Sequence, residues 1–238
     1  MDITLHRFLA EFFGTGLMIL FGVGVNSAVL LNKSKFKGQG ELFAISTWGF
    51  GISVSLWIFG DVFINPSMAV AQVVLGNASI LQAIVYSIAD ILGAIIASLI
   101  VYVLYKDQFD ASSDIDPVRL RTAFSTTPAV RNLPLNWFIE FFATFVFILS
   151  ILGISANVHT NGLAPLGIGF LVWAIGMSLG GTTGFAMNLA RDMGPRIAYW
   201  MLPIKNKTNP DWKYGLIVPG TAPLFGGALA AIFYMWFF

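Results

Sequence analysis

The sequence predicts an all-α membrane protein, with six transmembrane helices and two re-entrant half-helices in an inverted repeat. Three observations predict it. Hydrophobic residues make up 57% of the 238 residues and charged ones 11%, against about 45–50% and 25% in soluble domains. Six apolar stretches are long enough, or nearly so, to cross about 30 Å of hydrocarbon as helices. Two shorter stretches, each opened by an asparagine, fall at matching places in the two halves.

The predicted spans are Phe8–Leu31, Leu42–Phe59, Ile80–Tyr105, Leu135–Ala156, Leu163–Leu179 and Tyr214–Phe238. The first begins at once, is long and lacks a polar cleavage region, so no cleavable signal peptide is expected. Pro66–Gly76 is uncharged but too short to span, and Leu189–Leu202 is short and broken by Arg191, Asp192, Pro195 and Arg196. Taken alone, each reads as an interfacial helix or a loop. Placed after the second and fifth spans, the pair marks discontinuous helices of an inverted repeat. Lys106–Leu133 is the longest polar connection and is expected to fold over a pore mouth.

The repeat recurs at the start of each half. Ala10-Glu11-Phe-Phe-Gly-Thr15 opens span one, and Ile139-Glu140-Phe-Phe-Ala-Thr144 opens span four. Asn65 and Asn188 follow at similar distances. Three spans per half require the second half to be inserted upside down, so the half-helices enter from opposite faces. The expected organisation is a single domain over 1–238, with repeats of about 1–131 and 132–238. Irregular backbone at membrane depth must be buried in protein or line water. Arg191 at that depth costs roughly 2.5–3.5 kcal/mol on insertion scales, a cost tolerated where the side chain lines a wet cavity. A central pore meets both conditions.

Other chemistries have little support. The chain has no cysteine, which excludes disulfides and thiolate metal sites. His6 and His159 stand apart in sequence, and no phosphate-binding glycine loop or nucleophile triad is present. No enzyme activity, cofactor, metal ion or nucleic-acid partner is expected.

Each asparagine precedes a short helix, where its side chain can accept from free backbone N–H groups. Each helix N-terminus carries about +0.5 elementary charge, so two such ends meeting midway make a positive ring. Capping alone would also explain an asparagine at either position, but two matched copies favour a pore.

The motifs resemble those of the aquaporin family, in particular its glycerol facilitator (aquaglyceroporin) branch. Thr183-Gly-Phe-Ala-Met-Asn-x-Ala-Arg-Asp-x-Gly-Pro195 resembles the second signature loop, and Asn65-Pro66-Ser67 the first. Trp48-Gly-Phe-Gly51, Ala123-Phe-Ser-Thr126, Leu163-Ala-Pro-Leu166 and Pro223-Leu-Phe-Gly226 extend the likeness over nearly the whole chain. The resemblance implies mid-pore motifs at Asn65, Pro66, Ser67 and at Asn188, Leu189, Ala190, where the asparagines hold a permeating hydroxyl. It implies a selectivity filter at Trp48, Gly176, Phe185 and Arg191. There two aromatic faces cradle a CH edge and a guanidinium donates to adjacent hydroxyls.

Glu11 and Glu140 sit in corresponding spans and are expected to tie down the loop backbones, although intramembrane carboxylates also mark proton relays. Asp192 is expected to support the loops with them and to orient or neutralise Arg191. Several residues depart from the family pattern. Asp90 stands where glutamine is usual, Ser67 replaces alanine, and Leu189 replaces the helix-opening proline. The run Gly60-Asp-Val-Phe63-Ile64 is short and lacks the customary histidine.

The resemblance puts both termini in the cytoplasm of a plasma-membrane protein and implies a homotetramer. That orientation leaves Arg7 as the one inner basic residue, against the positive-inside rule. The resulting expectation is a passive channel for glycerol and other small uncharged solutes, with some water, that excludes ions and protons. The alternatives are the same fold conducting mainly water, dihydroxyacetone, hydrogen peroxide or a dissolved gas, or a secondary transporter.

Overall fold

The computed structural model describes residues 3–157 and 162–238, so His159 lies outside the described residues. Among the described residues ten helices follow one another: α1 (Leu5–Leu30), α2 (Gly40–Phe59), α3 (Pro66–Val74), α4 (Ile80–Leu104), α5 (Lys106–Asp110), α6 (Pro117–Arg121), α7 (Leu133–Asn157), α8 (Leu163–Thr183), α9 (Leu189–Met201) and α10 (Trp212–Phe237). No strand occurs among the described residues. Six of these helices, α1, α2, α4, α7, α8 and α10, are long and apolar enough to cross a membrane. The protein is a multi-pass membrane protein.

Local signals set the helix starts. The Thr4 hydroxyl accepts from Arg7 N at 3.1 Å to open α1. Ser79 and Gln82 form a reciprocal capping box at the head of α4. Short α5 and α6 lie inside the long polar connection, where the sequence reading has a loop. The signal for α6 is Asp116 followed by Pro117: the Asp116 carboxylate accepts from Arg119 N at 2.9 Å, with proline at the first helical position.

Packing repeats between the halves. α1 packs on α4 and α2, while α7 packs on α10 and α8, and the halves join where α2 meets α8. The half-helices cross over: α3 packs on α10 as well as α4, and α9 packs on α4 as well as α10. One close approach explains two glycines. A Cβ on Gly93 would fall on the Phe12 carbonyl, and a Cβ on Gly226 on the Phe141 carbonyl. Phe12 and Phe141 each follow the glutamate of the repeated motif, so the same tight crossing recurs in both halves. Helices associate in lipid through such small-residue contacts. On the outer face of α4, Ile84, Ile88, Leu92, Ile96 and Ile100 are all about half exposed. Their i, i+4 spacing makes one apolar stripe, suited to acyl chains.

Candidate pore and filter

α3 and α9 meet N-terminus to N-terminus. Asn65 and Asn188 cap them with the same backbone dihedrals, φ −160° and ψ 114°. The Asn65 Oδ1 accepts from Ser67 N at 2.8 Å, and the Asn188 Oδ1 from Ala190 N at 2.9 Å and Arg191 N at 3.1 Å. The amide nitrogens cross over: Asn65 Nδ2 donates to the Met187 carbonyl at 3.0 Å and Asn188 Nδ2 to the Ile64 carbonyl at 2.8 Å. Each amide therefore spends one N–H on the opposite loop and keeps another. Leu189 does not disturb this arrangement, because the cap is made by the asparagine and α9 opens with the same dihedrals as proline-headed α3.

The runs before the caps are held by the two buried glutamates. Glu11 accepts from Phe63 N at 2.8 and 2.9 Å and from Ile64 N at 2.8 Å. Glu140 accepts from Ala186 N at 3.0 Å and Met187 N at 2.9 Å. Ile64, Phe185 and Met187 have positive φ values of 44°, 40° and 47°. Such conformations cost side chains of this kind of order 1–3 kcal/mol each and persist where the surroundings over-determine them. In a trans peptide the C=O points opposite to the N–H. With these N–H groups turned to the glutamates, the carbonyls of Val62, Phe63, Phe185 and Ala186 turn the other way, toward the cavity that these residues line.

That cavity runs between the half-helices. Asn65 and Asn188 line it with Arg191, Trp48, Phe185 and a mainly aliphatic wall that includes Ile52, Val62, Ile168 and Val172. At one end the Arg191 guanidinium lies over the Trp48 ring, 4.1 Å from its centroid. Arg191 Nη1 is buried and has no hydrogen-bond partner among the described residues, so it is a donor available to a solute. Gly176 lies behind Phe185 rather than on the cavity wall. A Cβ there would meet Ile45 Cγ2 at 2.6 Å and Phe185 Cζ at 3.3 Å. Its missing side chain makes room chiefly for Ile45, while the phenyl ring rests on Gly180, where a Cβ would meet Phe185 Cδ1 at 2.5 Å. Pro66, Ser67, Leu189 and Ala190 form the first turns of the half-helices and stand behind the asparagines.

Among the described residues Asp192 makes no direct bond to Arg191, although its charge lies close enough to act on it. Adjacent residues on a helix point apart, whereas residues four apart share a face. Asp192 accordingly pairs with Arg196, whose Nε donates to Oδ1 at 2.7 Å and whose Nη2 donates to Oδ2 at 3.0 Å. Asp192 also accepts from Thr126 N at 2.8 Å and Thr126 Oγ1 at 2.6 Å. Arg196 Nη2 returns a bond to the Thr126 carbonyl at 3.0 Å. The long polar connection is thereby fastened to α9 one residue from Arg191. Asp90 is fully buried and accepts from Thr15 Oγ1 at 2.7 Å.

At the other end the cavity adjoins a vestibule that shares Val62, Phe63 and Met68 with it. Arg7 stands there, 2.9 Å from Glu11 and 3.4 Å from Asp61, with its guanidinium 4.7 Å from the Phe63 ring centroid. Beside Arg196, Asp211 caps α10 and binds Arg131 through two bonds of 2.6 and 2.8 Å. That contact holds the Asp211 carboxyl below its usual range.

A family model described as "Major intrinsic protein" matches residues 2–234. The chain belongs to this family. Among curated proteins it is 59% identical to glycerol uptake facilitator protein 4 of Lactiplantibacillus plantarum, over 98% of each chain. It is 58% identical to the D/L-lactic acid transporter of the same organism, again over 98% of each. The glycerol uptake facilitator protein of Bacillus subtilis is 40% identical over 95% of this chain and 83% of that one. Among solved structures, the aquaglyceroporin from Plasmodium falciparum superposes with a TM-score of 0.81 at 25% identity, covering 97% of this chain and 95% of that one. This member of the major intrinsic protein family thus shares the aquaglyceroporin fold along nearly its whole length.

Proposed function

We propose that this protein is a passive channel for glycerol and other small uncharged solutes, with some water. The observation that carries the reading is the make-up of the constriction. One wall offers the free Nη1 donor of Arg191, and the others offer the ring carbons of Trp48 and Phe185 that Arg191 leaves uncovered. A polyol has hydroxyls on one side and CH groups on the other, so it fits both wall types at once. Beyond the constriction, the carbonyls of the two loops accept its hydroxyl protons, and Asn65 and Asn188 donate to its oxygens midway. The paired half-helix ends and Arg191 present positive charge along the path, which opposes protons and metal cations. Glu11 and Glu140 act as scaffold, because their oxygens are occupied by loop N–H groups.

The test is stopped-flow light scattering on proteoliposomes. Glycerol should enter protein-containing vesicles faster than empty ones, and larger polyols progressively more slowly. Equal glycerol rates with and without protein would remove the reading. A second cargo, undissociated lactic acid, is favoured by the 58% identity to the lactic acid transporter. It is also small, neutral and hydroxylated. Its flux in the same vesicles should follow the undissociated fraction as pH is changed, and a flux that follows the lactate anion instead would exclude it.

We further propose a homotetramer in the plasma membrane with both termini in the cytoplasm. The pore is complete within one chain, and surface glycines such as Gly153 and Gly181 leave open space for close helix contact. Cross-linking in mild detergent should give a tetramer ladder, and monomers alone would refute the assembly.

A further inference from the structure

Trp48 has one polar atom, the indole Nε1, and a buried indole N–H needs an acceptor. Here the acceptor is Asn26 Oδ1, at 3.3 Å. Asn26 lies on α1 one turn after Gly22, on the same helix face. Gly22 is where the indole rests: a Cβ at that position would overlap the six-membered ring. α1 therefore offers Trp48 a notch and an acceptor side by side. The Arg191 guanidinium covers the ring, 4.1 Å from its centroid. Asn26 also donates, through Nδ2, to the Ala123 carbonyl at 3.5 Å, in the connection whose Thr126 donates to Asp192 of α9.

We propose that Asn26 is a positioning residue for solute selection. By taking up the indole N–H, it makes Trp48 meet the solute with carbon surface alone and leaves Arg191 as the donor of the constriction. A freed N–H would add a second donor inside an otherwise carbon-lined wall and would let the indole turn. Either change favours water over a solute that has a CH edge to bury. This inference rests on reading Trp48 as a wall of the filter.

The test compares the permeability ratio of glycerol to water in proteoliposomes for wild type, Asn26→Leu and Asn26→Asp, with monodispersity in detergent as the folding check. Leucine has nearly the shape of asparagine and accepts nothing. Aspartate keeps an acceptor oxygen for Trp48 but loses the donor to Ala123. Asn26→Leu should lower the ratio roughly three- to tenfold, the order expected of one lost buried hydrogen bond, and Asn26→Asp should stay near wild type. In a Trp48→Phe background, where there is no indole N–H, Asn26→Leu should change the ratio no further.

An unchanged ratio in Asn26→Leu overturns the proposal. So does an equal fall in Asn26→Leu and Asn26→Asp, which would assign the effect to the Ala123 contact. A full Asn26→Leu effect that persists in the Trp48→Phe background overturns it as well. If wild type passes no glycerol, the solute reading fails instead. The same comparison is then run with the solute that does pass.

Discussion

Asn65 and Asn188 hold each other's loops: each donates its amide to the carbonyl just before the other, Met187 at 3.0 Å and Ile64 at 2.8 Å. Both also cap a half-helix, so each side chain joins a helix end to the opposite half of the molecule. Either asparagine replaced by alanine should lower stability by about 1–3 kcal/mol, the sum expected of a lost cap and an orphaned carbonyl. The double variant should lose less than the two singles together, because the contacts form one unit. Thermal unfolding in detergent checks this, and strict additivity would mean that the two loops are stabilised independently.

Glu11 and Glu140 each satisfy two loop N–H groups. Glutamine has one acceptor oxygen and presents an NH₂ where a second is needed. Glu140→Gln should therefore leave a buried N–H unpaired at a cost of about 1–3 kcal/mol and release the positive-φ backbone at Phe185 and Met187. Solute flux and melting temperature should fall together. A flux loss with unchanged melting would point to a role for Glu140 in transport itself.

Gly176 packs against Ile45 and Phe185. Since a Cβ there would meet Ile45 at 2.6 Å and Phe185 at 3.3 Å, Gly176→His should force Ile45 aside, press on the phenyl ring and narrow the space beside it. Glycerol flux should drop steeply and water flux much less. An unchanged glycerol-to-water ratio in folded, inserted protein would show that Phe185 does not bound the path.

The membrane fold was largely legible in the sequence, because six apolar runs and two Asn-led short ones admit few arrangements. Helix ends shift by a few residues where capping overrides hydropathy: α1 starts at Leu5 because Thr4 caps it, and α10 at Trp212 because Asp211 does. The short helices α5 and α6 were hidden in a polar stretch whose order comes from contacts with distant residues such as Asn32 and Asn206. At the site, Trp48, Phe185 and Arg191 were named from motifs and lie around one cavity. The Asp192–Arg196 pair and the Asn26–Trp48 bond were not anticipated. The first follows from helix geometry that the adjacent Arg-Asp letters conceal. The second joins residues of different helices, for which a single sequence has no period to read.

Asp211 gives a pH dependence. Its carboxyl is held low by Arg131, so the folded state favours the ionised form. The stabilisation is fully present above the unfolded carboxyl value of about 3.9 and is lost as pH falls through the lower folded value. The difference in melting temperature between wild type and Asp211→Asn should be constant near neutrality and shrink below about pH 4. A difference that persists undiminished in strong acid would show that the Arg131 contact does not matter to folding.

The most direct measurement of a preformed passive pore is glycerol flux into proteoliposomes as a function of glycerol concentration, with and without an imposed proton gradient. Arg191, Asn65 and Asn188 line a path that needs no alternating rearrangement, so flux should rise linearly with concentration, ignore the gradient and carry no proton current. Saturating flux that is driven by the proton gradient would contradict the channel and make Glu11, Glu140 and Asp90 the groups of a transporter.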